Sequence, residues 1–397
     1  MKDAVLEKRL GDVVDVQSGF AFKSSEYSDS GHFLIRIANV QDGYLSLEKP
    51  KYVALNAKTK RFELRAGDIL TSLTGNVGRV AKVEPEHLPA ALNQRVARLV
   101  PKPDAGIDAQ YLLRFLHSSA FSGFLEERAH GAAQANVSPS VIGEIPIPLP
   151  PLEEQQRIVG VLDEAFEGLA CARKNAEVNL QNARELFESK RRDLLTTGSD
   201  SWATKSLNEV CVVERGSSPR PIKNFVTESA DGVHWVKIGD TRVGSKYVTG
   251  TKQKITKKGA EKSRAVFAGD FILTNSMTYG RPYIMGIDGY IHDGWFVLRL
   301  KDEIDTDFFF HLLSSKVVQD QFEQLAAGSV VKNISGDLVK KAVLSLPPIG
   351  VQTIIASELD SISNDIERIE KAYTAKLQDL DDLRQSLLQQ AFAGELT

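Results

Sequence analysis

The sequence predicts an α+β chain built twice over. Two similar mixed α/β domains are each followed by a long helix, and the two helices form an antiparallel coiled coil, the whole being a pseudo-twofold internal repeat. Three observations predict this. First, LPPLEEQQRIVGVLD from Leu149 returns as LPPIGVQTIIASELD from Leu346. Leu149 maps to Leu346, Pro150 to Pro347, Gln155 to Gln352 and Asp163 to Asp360, all at an offset of 197. That offset is too long for a solenoid repeat and fits a duplicated domain-plus-helix module. Second, apolar residues after each Pro-Pro recur at alternating spacings of three and four, the heptad seam of a coiled coil. Third, 397 residues leave room for two or three domains with ample core. The boundaries fall at 1–150, 151–201, 202–346 and 347–397.

Residues 1–150 read as a domain of many short strands. Leu10 to Val16 and Phe33 to Val40 run apolar between turn signals. RAGDILTSLTGNVGRVAKV from Arg65 reads as turn, strand, Gly-bounded loop and strand. Tyr111 to Phe124 has helical spacing. The stretch QANVSPSVIGEIPIPLPP from Gln134 reads as an extended exit, because a residue before proline avoids the α region.

The first long helix begins with Pro151 at its first helical position and Glu153 and Glu154 in the first turn. Its seam runs through Val159, Leu162, Phe166, Leu169, Arg173, Ala176, Leu180, Ala183, Phe187, Lys190 and Leu194, and Gly198 closes it. About 45 residues at 1.5 Å rise make a rod of roughly 65 Å.

Residues 202–345 repeat the first domain. LNEVC at Leu207 matches LGDVV at Leu10, and VKIGD at Val236 matches IRIAN at Ile35. Ala268-Gly269-Asp270 matches Ala66-Gly67-Asp68, Gly280-Arg281 matches Gly78-Arg79, and Phe308 to Leu313 matches Tyr111 to Leu116. Gly328 matches Gly131, and Asn333-Ile334-Ser335 matches Asn136-Val137-Ser138. The loops between these framework residues diverge. The second helix carries the seam Ile355, Leu359, Ile362, Ile366, Ile369, Tyr373, Lys376, Leu380, Leu383 and Leu387. Such a narrow stripe needs a partner helix, and its own copy is the obvious one. From Leu152 to Leu194 is 42 residues and from Ile349 to Leu387 is 38, so the first helix is expected to be one turn longer.

Composition narrows the function. The net charge of −3 divides unevenly: +1 for residues 1–150, −3 for 151–201, +4 for 202–345 and −5 for 346–397. The helices carry the acid, and the domains are neutral to basic, which leaves room for a polyanion. Cys171 and Cys211 form no metal or disulfide pattern and fit a reducing, cytoplasmic setting. The first residues lack the apolar core of a signal peptide, and no apolar run reaches membrane-spanning length. No P-loop, dinucleotide fingerprint or zinc motif is present, and no catalytic constellation stands out. Glu188-Ser189-Lys190 mimics part of a nuclease triplet, but Lys190 is in the seam. The Leu-Pro-Pro runs lack the Asn and aromatic of a methyltransferase motif. No catalytic residue, metal site or cofactor is expected in this chain.

Polar loops are the candidate surface. In the first domain they offer Lys23 and Ser24 after an aromatic turn, Arg36, then Thr71, Thr74, Asn76 and Arg79 around Gly75 and Gly78, and Arg95 within Asn93-Gln94-Arg95. In the second they offer Arg215, Ser217 and Arg220, then Lys237, the basic run with Lys254, Lys257 and Lys258, and Asn275, Thr278, Tyr279 and Arg281. Arg, Asn and Lys pair with base edges, while Ser, Thr and Lys serve phosphates. The same residues populate any polar loop.

The opening LGDVVDVQSGFAFKS from Leu10, RAGDILTSLTGNVGRVA from Arg65, NVSPSVIGEIPIPLPPLEEQQRIVGVLD from Asn136 and LRQSLLQQAFAGEL from Leu383 together resemble the specificity subunit of a type I restriction–modification system. The resemblance covers essentially the whole chain. It implies that each domain is a target recognition domain reading one half of a bipartite double-stranded DNA sequence. The coiled coil is then a ruler that docks two methylation subunits. The subunit itself is not an enzyme; it directs adenine N6-methylation by a partner that uses S-adenosylmethionine. Translocase–nuclease subunits join to cut unmethylated DNA. The alternative is a coiled-coil scaffold whose domains bind proteins.

Overall fold

The computed structural model describes residues 7–129, 136–242, 244–275, 280–301, 303–326 and 334–396. The chain divides into two compact units, Met1–Ala176 with Thr374–Thr397, and Glu177–Tyr373. Each holds one mixed domain and a stretch of both long helices.

In the first unit, one antiparallel sheet runs Val14–Ser18, Val96–Pro101, Ile69–Ser72, Val80–Lys82. A second runs Tyr52–Val53, His32–Ile35, Ala90–Leu92, Glu63–Leu64, with its central pair parallel and Phe33 opposite Ala90. Glu7–Arg9 pairs with Pro146–Pro148, bringing the two ends of the domain together. The second unit repeats the plan. Cys211–Arg215, Trp295–Leu300, Phe271–Thr274 and Pro282–Met285 form the first sheet, extended by Tyr247–Val248. Gln253–Ile255, Val233–Val236, Gly289–Ile291 and Arg264–Val266 form the second, extended by Val226–Thr227. Its central pair is again parallel, with Trp235 opposite Tyr290.

The Ala-Gly-Asp match has a structural reason. Gly67 and Gly269 take positive φ, +91° and +93°, which glycine adopts without strain. The following Asp68 and Asp270 each accept a guanidinium, from Arg98 and Arg299, both at 3.1 Å.

The long helices are part of the domain cores. Ile158 and Leu162 of the first, with Leu388 and Ala391 of the second, pack among Leu10, Phe115 and Phe121. In the second unit Leu195, Ile355 and Leu359 pack among Leu207, Phe271 and Phe309. The repeated glutamine locks this joint. Gln155 accepts the Asp108 N–H at 2.8 Å and donates to the Gly106 and Pro150 carbonyls. Gln352 accepts the Asp305 N–H at 3.0 Å and donates to the Pro347 carbonyl. Asp108 and Asp305 in turn cap the helices Ala109–Leu116 and Thr306–Ser314. The repeated aspartate adds a second tie: Arg114 forms an ion pair with Asp163, and His311 hydrogen-bonds Asp360.

Within each unit the two helices run antiparallel. Arg173 reaches Asp381 at 2.6 Å in the first. Arg184 reaches Glu370 at 2.6 Å and Lys190 reaches Glu358 at 3.0 Å in the second. The first helix buries or half-buries every expected seam residue. In the second, Ile369, Lys376 and Leu383 are exposed, and Leu377 and Arg384 turn inward instead. A helix of 3.6 residues per turn drifts from a 3.5-residue stripe, so the seam moves by one position.

Other expectations are corrected. The helices span Leu152–Thr196 and Ile349–Phe392, 45 and 44 residues, so there is no extra turn. Pro151 and Pro348 supply carbonyls to the first helical N–H groups and precede the helices rather than opening them. Leu10–Val13 and Leu207–Val210 are single helical turns leading into strands. Pro139–Gly143 is also helical, because Ser138 caps it and proline suits the first turn.

Candidate nucleic-acid interface

In the first domain the strand Val14–Ser18 leads into Gly19, where the chain passes from one sheet to the other. Gly19 N–H donates to Val96 and Phe20 N–H to Leu92. A Cβ at Gly19 would lie 2.3 Å from the Leu92 carbonyl oxygen, and one at Gly216 would lie 2.1 Å from that of His292. Only glycine permits this approach. It draws the loop before Lys23 against Asn93-Gln94-Arg95.

The loop after Ser72 closes from the other side. Leu73 N–H donates to Arg95, Val137 N–H to Leu73, and Thr74 Oγ1 to Asn136 Oδ1 at 2.9 Å. Thr74, Gln94, Arg95, Asn136 and Ser138 then line a concavity of about 570 Å³ with Ser18 at its rim. A second hollow of about 600 Å³ shares Ser18 and is lined by Arg61, Phe62 and Arg98. Arg61 lies 4.8 Å from the Phe62 ring, which packs on Phe20 at 5.6 Å. Arg95, Asn76, Lys23, Ser24 and Arg61 are exposed. Arg61 is absent from the expected set; the basic run Lys58, Lys60, Arg61 is the signal that could have found it.

In the second domain the corresponding loops converge on Asp293. Ser218 Oγ donates to its carboxylate at 2.5 Å, and Arg220 approaches it at 3.5 Å. Arg215 Nε and Asn275 Nδ2 donate to its main-chain oxygen. The Ser218 hydrogen bond holds the Asp293 carboxyl below the usual range, while burial lowers the neighbouring His292. Ser217 donates to the Lys262 carbonyl, tying the basic run to the same place. Lys257 and Lys258 stand exposed on the turn after Thr256; Lys237 and Lys254 are half-buried.

Some expected residues do not belong to this surface. Thr71 is 0% exposed and Asn275 2%, so neither side chain can reach a ligand. Each lies on or just past a strand whose both faces are covered. Arg36 donates to the Lys49 carbonyl and Arg79 to Gln41, so both brace loops. Arg281 lines a different cavity, beside the long helices of its unit. Thr278 and Tyr279 lie outside the described residues. Hydrogen-bond donors dominate what remains, a set suited to base edges and phosphates. Among the described residues no group of three or more His, Cys, Asp or Glu could hold a metal ion, and no helix is long and apolar enough to cross a membrane.

Each unit thus carries the same mixed domain on paired long helices, with a different set of polar loops at the matching crossing. The profile of the type I restriction modification DNA specificity domain matches twice, over residues 2–180 and 199–378, and the chain belongs to that family. The EcoBI specificity subunit of Escherichia coli is 24% identical, spanning 100% of this chain and 87% of that one. The EcoKI specificity subunit of Escherichia coli strain K12 is 23% identical over 92% of this chain and 82% of its own length. Among solved structures, a chain from a study of type I R-M assembly and conformational transition superposes with a TM-score of 0.77 at 19% identity, over 98% of both chains. The HsdS subunit of Thermoanaerobacter tengcongensis gives 0.55 at 20% identity, over 98% of this chain and 97% of that one. At these identities the structures speak to fold alone.

Proposed function

We propose that this chain directs a type I restriction–modification complex to a bipartite DNA target. Residues 1–150 and 202–346 are the two readers, one for each half of the target. Residues 151–201 and 347–397 are the spacer that sets their separation and docks two methylation subunits. The chain performs no catalysis itself; its partners methylate adenine with S-adenosylmethionine, and translocase–nuclease subunits cut unmethylated DNA. The observation that carries the reading is one framework bearing two different polar surfaces. Asn93-Gln94-Arg95 of the first domain is replaced by His292-Asp293-Gly294 at the same crossing, beside Gly19 and Gly216. Two readers of different half-sites need that combination.

The contacting side chains are Lys23, Ser24, Thr74, Asn76, Arg61 and Arg95 in the first domain, and Arg215, Ser217, Arg220, Lys257 and Lys258 in the second. Acidic helices suit protein docking better than a DNA groove. Binding to duplex DNA, titrated against salt with and without methylation subunits, tests the reading. A specific complex weakens steeply with salt. Flat salt dependence without sequence preference returns the chain to the scaffold alternative. Methylome sequencing of a host with and without the chain reads out the target.

A further inference from the structure

A cavity of about 410 Å³ opens in the second unit where the end of the first long helix meets the domain. Arg191 lines it from that helix, Ser363 from the second long helix, Arg281 and Tyr283 from the start of the strand Pro282–Met285, and His311 and Ser314 from the helix Thr306–Ser314. Arg191 and His311 are only 9% and 2% exposed. Arg191 Nε and His311 Nδ1 are both buried without a hydrogen-bond partner among the described residues. The other edges of these groups are engaged: an Arg191 terminal nitrogen bonds Glu188, and His311 Nε2 meets Asp360 at 2.7 Å. A buried guanidinium N–H without an acceptor carries a desolvation cost that only an acceptor removes.

The first unit serves as an internal control. At an offset of 197, Arg191 becomes Leu388, His311 becomes Arg114 and Ser314 becomes His117. Leu388 is apolar core, Arg114 is satisfied by Asp163, and His117 pairs with Asp42 at 3.3 Å. Arg79, the counterpart of Arg281, donates to Gln41 at 2.7 Å. The Gln41-Asp42 loop is fixed along the strand Val80–Lys82, where Gly43 N–H donates to Val80. The second unit runs Gly244-Ser245-Lys246 along the matching strand Pro282–Met285, where Ile284 N–H donates to Lys246. That segment offers no carboxylate.

We propose that this cavity is an oxyanion site for a phosphate-class anion, held by the Arg191 and Arg281 guanidinium groups with the Ser314 hydroxyl. The external anion does there what the Asp42 carboxylate does in the first unit. The site stands on this cavity alone and does not depend on the DNA-specificity reading. His311 couples it to pH. The charged groups around the ring are Asp360, Lys246 and Asp307 on its outer side and Arg191, Glu188 and Arg281 toward the cavity. Burial lowers the ring's pKa from the ordinary 6.5, and a bound anion favours its protonated form, so binding strengthens as pH falls toward that lowered value.

Calorimetric titration of the full chain with inorganic phosphate tests the site, alongside melts followed by tryptophan fluorescence. Trp202, Trp235 and Trp295, the chain's three tryptophans, all lie in the second unit, so the signal reports it. Phosphate is expected to raise its melting temperature. R191L, which installs the first unit's residue, and R281Q should each weaken binding about tenfold or more. Without phosphate, R191L should melt no lower than the parent. Binding unchanged in both variants overturns the site, as does no binding at about 10 mM phosphate. Duplex DNA then separates the sources. If DNA displaces phosphate, the occupant is a backbone phosphate; if both bind together, it is a free one, and the site holds in either case.

Discussion

Gln155 and Gln352 hold each domain to its long helix through main-chain atoms of the loop before a capped helix. Both side chains are buried. Q155A should destabilise the first unit by about 1–3 kcal/mol, because the Asp108 N–H and the Pro150 carbonyl lose their partner. In a unit of this size that is a fall of several degrees in melting temperature, measurable by calorimetry. His311 carries a second residue-scale prediction. Burial lowers its pKa from the ordinary 6.5, while Asp360 partly opposes the shift. The unfolded chain therefore takes up the proton first as pH falls. The stability is fully present above about 6.5 and is lost as pH drops through that value toward the folded one. Tryptophan-monitored melts should fall over this range, and H311Q should flatten the dependence; a slope unchanged in H311Q would assign it to the buried His292.

At the scale of elements, the sequence pattern located both long helices and their antiparallel pairing but misplaced part of the second seam. Leu380 is half-buried, whereas Leu383 is 48% exposed. L380D should cost about 1–3 kcal/mol by putting a charge in the seam. L383D should stay within about 0.5 kcal/mol, as surface changes usually do. Denaturant titrations of the two variants check the seam, and equal losses would restore the original stripe. The short elements were harder to read. Leu10–Val13 and Pro139–Gly143 are helical turns within extended or proline-rich sequence. They rest on caps and on contacts with each other: Leu10 N–H donates to Ile145, and a Cβ at Gly11 would meet Gly143 at 3.1 Å. Local propensity does not encode such long-range contacts.

At the scale of the whole chain, the duplication itself carries a prediction. Exchanging residues 202–346 for those of a relative should change one half of the methylated sequence and leave the other intact, as methylome sequencing would show. A change in both halves would end the modular reading. The repeat also shows where the two domains part ways. Their sheets share strand order and their Ala-Gly-Asp turns share an ion pair, yet the crossing beside Gly19 and Gly216 carries different side chains.

The sequence alone determined the duplication, the two mixed domains, the long helices and the resemblance to a known family. These depend on periodicity, on proline and glycine, and on the order of motifs, all of which are local or repeat at a fixed offset. Tertiary structure decided which polar residues are available. Thr71 and Asn275 have the right chemistry and are buried, Arg281 faces a separate cavity, and Arg61 emerges beside Ser18 from more than 40 residues away. Residue identity specifies hydrogen-bonding capacity, but exposure and convergence depend on how distant strands pair, and that is settled only when the sheets form.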